Sequence, residues 1–220
     1  MISFGLCSRA SASSSVSRIP TSATAVKASA YFASIEVDVV PMDNRVSVAI
    51  AAYDPRADIV ARLPGTPPPR LERVRLWVEK KTHQRREDIV SPQAKVSANY
   101  AGSMTAKALA RARGYDEIVL VDEDENLAEG PTTNLFVVDA EGTLRTPPEK
   151  RVLRGVTRAS IPALAAPEGL RVREESMRPT ILDSAREVFL TGTSAGVLPV
   201  ESVDGRSVGS ECPGPVSRTL

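Results

Sequence analysis

Several residue types that build common functional sites are scarce in this chain of 220 residues. It has two cysteines, Cys7 and Cys212, and one histidine, His83. Two cysteines cannot form a disulfide framework or a cysteine zinc site, and we expect no metal centre. His83 lies in the charged run KKTHQRRED, which is typical of a solvated surface. The scarcity therefore argues against chemistry that depends on histidine or on a bound metal.

Long apolar runs and an excess of one charge are also missing. No run approaches the roughly 20 apolar residues that cross a bilayer. The formal net charge of +1 gives no general attraction to nucleic acid or to an anionic membrane. A composition of 42% hydrophobic and 25% charged residues is that of a globular protein. We therefore expect a cytoplasmic protein with neither nucleic acid nor a membrane as a partner.

The N-terminal segment differs in composition from the rest of the chain. The first 35 residues contain no aspartate or glutamate, and ten of them are serine. Such a composition is typical of organellar transit peptides, and a wrongly assigned start upstream of the fold would give it too. We interpret residues 1–34 as a leader and residues 35–220 as the domain. A transit peptide would direct the protein to a mitochondrion or plastid.

Apolar periodicity after residue 34 predicts strands separated by helices. The alternation of Val74, Leu76 and Val78 favours a strand over a helix. Gly114 is expected to end one helix, and Pro162 to break or bend another. The order of elements indicates an α/β (α+β) fold. The predicted strands are SIEVDVVP, RVSVAIAAY, RLERVRLWVEKKT, EIVLV and the pairs within TNLFVVDAEGTLRTP and EVFLTGTSAGVLPVESVDG; the predicted helices are AGSMTAKALARARG and GVTRASIPALAA, and LPGTPPPR is a predicted loop.

The segment GTSAG, residues 192–196, fits the serine-hydrolase pattern G-x-S-x-G. A nucleophile elbow must lead into a helix, whereas the following VLPVESV is extended. The required histidine would have to be His83, far upstream. We therefore reject a hydrolase. The nucleotide-binding patterns G-x-x-x-x-G-K-[ST] and G-x-G-x-x-G are absent.

Lys95 differs from the other five lysines in its surroundings. In SPQAKVSANY it stands among small, mostly uncharged residues, and Tyr100 follows five positions later. Removal of water from its amine would make it nucleophilic near neutral pH, as a Schiff base requires. A lysine exposed beside a turn has the same sequence pattern. Both interpretations stay open on this feature alone.

Glu129 also stands apart from its neighbours. Five acids occur within DEDENLAE, and such a run usually forms a solvated turn. Glu129 ends the run, is followed by Gly130 and Pro131, and precedes the apolar strand NLFVV. It is therefore a candidate for a separate role.

The order of the blocks over about residues 90–220 resembles the fold-type IV pyridoxal-phosphate enzymes. Within them the chain is most similar to class IV aminotransferases, closest to the branched-chain amino-acid aminotransferase group. The resemblance implies the large domain of that fold, with the smaller N-terminal domain largely missing and the C-terminus truncated. It implies transamination between a branched-chain-like amino acid and a 2-oxo acid, with pyridoxal 5'-phosphate as cofactor, in a homodimer. The blocks are AKVSANY, GYDEIVLVDEDENLAEGPTTNLFVV, GTLRTPP, VLRGVTRASI, EVFLTGTSAGVLPVESVDG and GPVSRTL.

The resemblance also implies roles around the cofactor ring. Lys95 would hold the cofactor as a Schiff base and move the proton of the substrate Cα. Tyr100 would form a hydrogen bond with the phenolic oxygen. Glu129 would face the pyridine nitrogen and keep it protonated, so that the ring accepts electrons.

The remaining implied roles concern anionic groups. Val156 and Thr157 would bind the cofactor phosphate at the start of a helix, where N–H groups favour an anion. Thr193 would bind the phosphate, and Thr193 and Ser194 the substrate carboxylate, in a small anion-binding turn.

Other activities of the same fold stay open. A D-amino-acid transaminase and an aminodeoxychorismate lyase share it, and AKVSANY favours an aminotransferase over the lyase. We find no counterpart of the arginine that the smaller domain of the family contributes to the phosphate. A non-catalytic paralogue that acts as a binding or subunit-modulating protein is therefore a further alternative.

Overall fold

The computed structural model describes residues 24–32, 45–62, 71–81 and 87–220. The chain divides into two compact units, residues 1–69 and 70–220, and each is described by itself. The predictions for SIEVDVVP, LPGTPPPR and His83 lie outside the described residues. Within the described part, no helix is long and apolar enough to cross a membrane.

The first unit contains an antiparallel hairpin. Strand β1 (Ala25–Phe32) pairs with β2 (Val46–Tyr53), and β2 confirms the strand predicted for RVSVAIAAY. A π-helical turn (Pro55–Ile59) and a 3-10 turn (Val60–Arg62) follow. Residues 25–32 lie in the segment assigned to the leader, and there they form a strand that pairs along the whole of β2. The assignment of residues 1–34 to a leader stays a prediction.

The second unit is built on one eight-stranded sheet. The strands run in the order β4-β3-β9-β8-β5-β6-β7, and β10 pairs with β9. The pairs β3–β4, β3–β9 and β6–β7 are parallel, and the others are antiparallel. The strands are β3 (Val74–Glu79), β4 (Glu117–Leu120), β5 (Asn134–Val138), β6 (Leu144–Thr146), β7 (Val172–Glu174), β8 (Glu187–Gly192), β9 (Gly196–Val203) and β10 (Arg206–Ser207).

Three helices accompany the sheet: α1 (Ala101–Ala112), α2 (Val156–Ala165) and α3 (Pro215–Thr219). Short 3-10 turns occupy Ser97–Tyr100, Glu149–Arg151 and Pro179–Asp183. The predicted helix after the lysine, the strand choice for residues 74–78 and both strand pairs are confirmed. Gly114 adopts a positive φ of 88° just after α1, as a helix-ending glycine does.

Strand alternation divides the core into two layers. Leu135 and Val137 of β5 face a layer shared with Leu190 of β8. The residues between them, Phe136 and its partner Phe189, face the opposite layer and stack with ring centroids 5.3 Å apart. Helix α2 packs onto that second layer through buried Ile161 and Ala165. The sheet therefore carries α2 on the same face as alternate side chains of β5 and β8.

Helix α2 continues through Pro162, so the predicted break does not occur, and the predicted bend stays a prediction. The proline removes only the bond that its own N–H would give to the carbonyl of Arg158. Ile161 and Ala165, on either side of it, are fully buried and hold both halves of the helix on the sheet. The stabilisation from core packing thus exceeds the loss of one backbone hydrogen bond.

The turn between β5 and β6 depends on one buried carboxylate. Asp139 Oδ1 accepts from the backbone N–H of Glu141 (3.0 Å) and of Thr143 (2.7 Å), and Oδ2 accepts from Arg145 Nε. Burial alone would raise the pKa of Asp139, but these donors hold the pKa below its ordinary value. The ionised carboxylate therefore stabilises the hairpin.

We predict that Asp139→Asn destabilises the protein by about 1–3 kcal/mol at pH 7. A depressed folded-state pKa gives stability above the unfolded pKa of about 3.9, which is lost as the pH falls through the folded value. The difference from the parent in urea unfolding should therefore shrink below about pH 4. Exposed Glu168→Gln is the control. An equal difference at pH 7 and pH 3 would contradict the assignment.

Candidate active site

The segment that carries Lys95 is irregular and precedes the 3-10 turn Ser97–Tyr100. Gln93 Nε2 donates to the carbonyl of Glu149 (3.3 Å), and Asn99 Nδ2 donates to the carbonyl of Ala94 (3.0 Å). The first contact attaches the segment to the loop that leads into α2. The second braces it internally.

Lys95 is exposed, and Tyr100 is half-buried. No described residue forms a hydrogen bond or ion pair with the Lys95 amine. Of the two interpretations of Lys95, the exposed lysine beside a turn describes the ligand-free chain. The neighbouring Ala94, Ser97 and Ala98 have side chains too short to cover a lysine. The role of Lys95 stays a prediction.

Glu129 is buried, with only 2% of its surface exposed. Its Oε1 accepts from the backbone N–H of Leu153 (3.0 Å), and its Oε2 accepts from Asn134 Nδ2 (2.9 Å). Both oxygens are thus fixed by donors from two different segments.

The rest of the acidic run behaves differently. Glu123, Asp124 and Glu125 are exposed, in agreement with a solvated turn. Asp122 is buried, and its Oδ1 accepts from the N–H of Asp124 and Asn126. No cluster of metal-binding type occurs among the described residues.

The start of α2 offers backbone donors. Gly155 precedes the helix in an extended conformation, and Val156 and Thr157 are its first residues. Gly155, the N-cap residue of this ten-residue helix, gives no side-chain cap, and Val156 is 78% exposed. The first N–H groups of a helix have no internal partner and carry its positive dipole end. This end can therefore bind an anion.

The segment GTSAG forms the hairpin turn between β8 and β9. Gly192 pairs with Gly196, and Thr193 and Ser194 lie exposed between them. Because a strand follows this turn, the rejection of a hydrolase elbow is confirmed.

Register brings this turn close to Glu129. Asn134, which contacts Glu129, lies opposite Thr191 in the β5–β8 pair. Opposite residues of antiparallel strands point to the same face, so Thr191 shares the face on which α2 packs. Its hydroxyl is fully buried and has no hydrogen-bond partner among the described residues. Thr191 is thus a polar group with unused capacity beside the site.

Three arginines fix the loop that leads into α2. Arg151 pairs with Asp124 (3.0 Å) and also with Glu123. Arg154 pairs with Glu149 (2.6 Å). Buried Arg158 pairs with Glu174 (3.0 Å) and donates to the carbonyl of Pro147 (2.9 Å). The loop is therefore tied to the acidic turn and to β7.

The structure brings together most of the predicted site residues. Glu129, the start of α2 with Val156 and Thr157, and the turn with Thr193 and Ser194 converge around Asn134. Gln93, two residues before Lys95, contacts the loop that leads into α2. Sequence reasoning missed Leu153, Asn134 and Thr191. Leu153 acts only through its backbone, and the sequence gives no signal of that. An asparagine at the start of the apolar strand NLFVV is a signal that could have been used.

The described residues fit a phosphorylated pyridine. A buried carboxylate suits a ring nitrogen that carries a proton. Uncapped N–H groups suit a phosphate, and the unpartnered hydroxyl of Thr191 adds a donor on the same face. No other group among the described residues of this region explains why these donors lack partners.

A cavity of about 400 Å³ lies elsewhere. It is lined in part by Val138 and Glu187, which pair at the far end of β5 and β8. The candidate site is thus defined by convergent polar groups and not by cavity size.

Comparison with known proteins links this geometry to one family. The sequence profile of the family described as "Amino-transferase class IV" matches residues 17–203. The branched-chain-amino-acid aminotransferase of Escherichia coli strain K12 is 41% identical over 128 residues, which cover 58% of this chain and 41% of that protein. The corresponding protein of Pseudomonas aeruginosa is 36% identical over 133 residues, which cover 60% of this chain and 43% of the relative.

Solved structures agree in fold. The Escherichia coli branched-chain amino acid aminotransferase superposes with a TM-score of 0.75 at 31% identity, covering 88% of this chain and 60% of that one. The Thermobaculum terrenum branched-chain amino acid aminotransferase in its PLP-form gives a TM-score of 0.75 at 27% identity, with the same coverage of both chains. The chain spans less than half the length of the curated relatives. The predicted large-domain fold is confirmed by these superpositions.

We predict opposite effects for two threonine-to-valine substitutions. Thr191→Val removes a buried hydroxyl without a partner and should raise the free energy of unfolding by about 1 kcal/mol. Thr146→Val removes the donor to the Leu135 carbonyl (2.8 Å) and should lower it by about 1 kcal/mol. Urea unfolding of the ligand-free protein measures both. Destabilisation by Thr191→Val equal to that by Thr146→Val would show that the Thr191 hydroxyl is already bonded.

Proposed function

This chain belongs to the class IV aminotransferase family, and from that premise we propose that it catalyses transamination between a branched-chain-like amino acid and a 2-oxo acid. The observation that carries the proposal is the buried Glu129 carboxylate, with both oxygens fixed beside the uncapped start of α2. An acid at one end and an anion-binding helix terminus at the other match the two ends of pyridoxal phosphate. The names of the relatives support the substrate class.

Each part of the cofactor has a proposed holder in this chain. The N–H groups of Val156 and Thr157, with the Thr193 hydroxyl, would bind the phosphate. Glu129 would accept a hydrogen bond from the protonated ring nitrogen, and Tyr100 would form a hydrogen bond with the phenolic oxygen. Pyridoxal phosphate, when bound, supplies the electron sink that allows an amino acid to lose its α-proton.

The remaining roles, cofactor attachment, proton transfer and binding of the substrate carboxylate, are proposed for side chains that are exposed. Lys95 Nζ would hold the cofactor and would carry a proton to and from the substrate Cα. This requires a solvent-accessible amine during binding and a water-poor site during proton transfer. Thr193 and Ser194 bind the substrate carboxylate. A homodimer, as the resemblance implies, would let the second copy cover this exposed side.

We predict that purified protein mixed with pyridoxal phosphate acquires a visible absorbance band. Borohydride should make the attachment permanent, and peptide mass spectrometry should locate the added mass on Lys95. Lys95→Ala should lose the band and the added mass, because the proposal places the attachment at this amine alone. Lys81→Ala, an exposed lysine outside the site, should behave as the parent. Attachment that persists in Lys95→Ala would refute the assignment.

We predict amino transfer from L-glutamate to branched-chain 2-oxo acids. Product detection by chromatography, with L- and D-donors in parallel, distinguishes the activities of this fold. Product only from D-donors would favour a D-amino-acid transaminase, and release of pyruvate from aminodeoxychorismate would favour the lyase. Cofactor attachment without any product would favour the non-catalytic alternative and overturn the proposed activity.

A further inference from the structure

We propose that Asn134 is a positioning residue that joins Glu129 to the start of α2, so that the ring-nitrogen acceptor and the phosphate-binding N–H groups move as one unit. The inference rests on the proposed function. Asn134 itself is not expected to touch the cofactor. Its effect passes through the carboxylate and through the loop that ends at Gly155.

The contacts of Asn134 form a closed set. Its Nδ2 donates to Glu129 Oε2 (2.9 Å) and to the carbonyl of Leu153 (2.9 Å). The N–H of Leu153 donates to the other oxygen of Glu129 (3.0 Å). Three hydrogen bonds thus connect three segments in a ring. A rotation of the carboxylate would break one of them, and so would a shift of the loop.

Asparagine suits this position because its amide carries two donor hydrogens. The two acceptors that it meets, a carboxylate oxygen and a carbonyl, each take one. An aspartate has no donor when ionised and would repel Glu129, and a serine has only one. Asn134 is 5% exposed, so water does not readily replace the lost donor.

The other end of the amide lies against Gly155. A Cβ on Gly155 would lie 2.2 Å from Asn134 Oδ1 and 3.4 Å from its Cγ. The conformation of Gly155, φ −66° and ψ 136°, is open to any residue. The requirement for glycine therefore comes from the Asn134 side chain and not from the backbone. The residue before α2 and the first residue of β5 fit each other directly.

The anchor of this arrangement is the sheet. Asn134 is the first residue of β5 and pairs with Thr191 of β8, while an isolated bridge joins it to Glu129. Its backbone is thus fixed on two sides. A rigid strand end can transmit the position of α2 to the carboxylate, which a mobile loop residue could not do.

The test measures the dissociation constant for pyridoxal phosphate by absorbance titration. We expect Asn134→Ala to weaken binding about tenfold and to move the visible absorption maximum in the same direction as Glu129→Gln does. In a Glu129→Gln background, Asn134→Ala should weaken binding less than it does in the parent, because only its contact with the Leu153 carbonyl is then left to remove. Asn126→Ala, whose residue contributes its backbone to the acidic turn, is the matched control.

Gly155→Ala gives an independent arm. We expect it to weaken binding about tenfold in the parent and to have an effect within about twofold once Asn134→Ala has removed the opposing Oδ1. Urea unfolding checks that each variant folds. If Asn134→Ala does not fold, Asn134→Ser, which keeps one donor, and Gly155→Ala carry the test.

Two kinds of failure can be distinguished. If the parent does not bind pyridoxal phosphate, the proposed function fails and this inference fails with it. Only the positioning role is overturned if the parent binds pyridoxal phosphate and Asn134→Ala and Gly155→Ala bind the cofactor as well as the parent does. It is also overturned if the effects of Asn134→Ala, Gly155→Ala and Glu129→Gln on the dissociation constant simply multiply when the substitutions are combined.

Discussion

A buried carboxylate constrains the arrangement of the whole candidate site. Removing the charge of Glu129 from water is expensive unless donors replace the lost hydration. Here the donors come from the backbone of Leu153 and the side chain of Asn134. Because these residues belong to the α2-entry loop and to β5, satisfying one carboxylate requires both segments to meet. The start of α2 is thereby brought to the same end of β5 as the acid.

Sequence alone located this carboxylate but could not explain it. Glu129 was separable from its acidic neighbours by the following glycine and proline, and its burial agrees with that distinction. Lys95 had an equally distinctive setting, yet it is exposed. The difference has a physical reason. A long side chain is buried only when other segments of the chain pack over it, and the residues next to it in the sequence do not show whether they do. The small residues beside a lysine in the sequence therefore do not show whether its amine is exposed to water.

The fold was more predictable than the contacts. Two-residue alternation placed β3 correctly even where helical spacing was also present, because Val74, Leu76 and Val78 are all buried on one face of the strand. The helix break predicted at Pro162 does not occur, because the prediction used local helix propensity alone and not the core contacts of Ile161 and Ala165. The strand Ala25–Phe32 was concealed by serine and alanine, which have weak strand preferences. Interactions made through backbone atoms, as by Leu153, leave no trace in the sequence.

Part of the site is built in a way that a folded protein without function would have no reason to keep. The buried hydroxyl of Thr191 lacks a partner among the described residues, the start of α2 lacks a capping side chain, and the loop before it is held by arginines that are themselves paired with acids. Each missing partner lowers stability, whereas the paired arginines keep the loop in place despite that loss. Unpartnered buried atoms also occur at Thr133 Oγ1 and Arg158 Nε. Donors without partners are expected where a ligand supplies the missing acceptor.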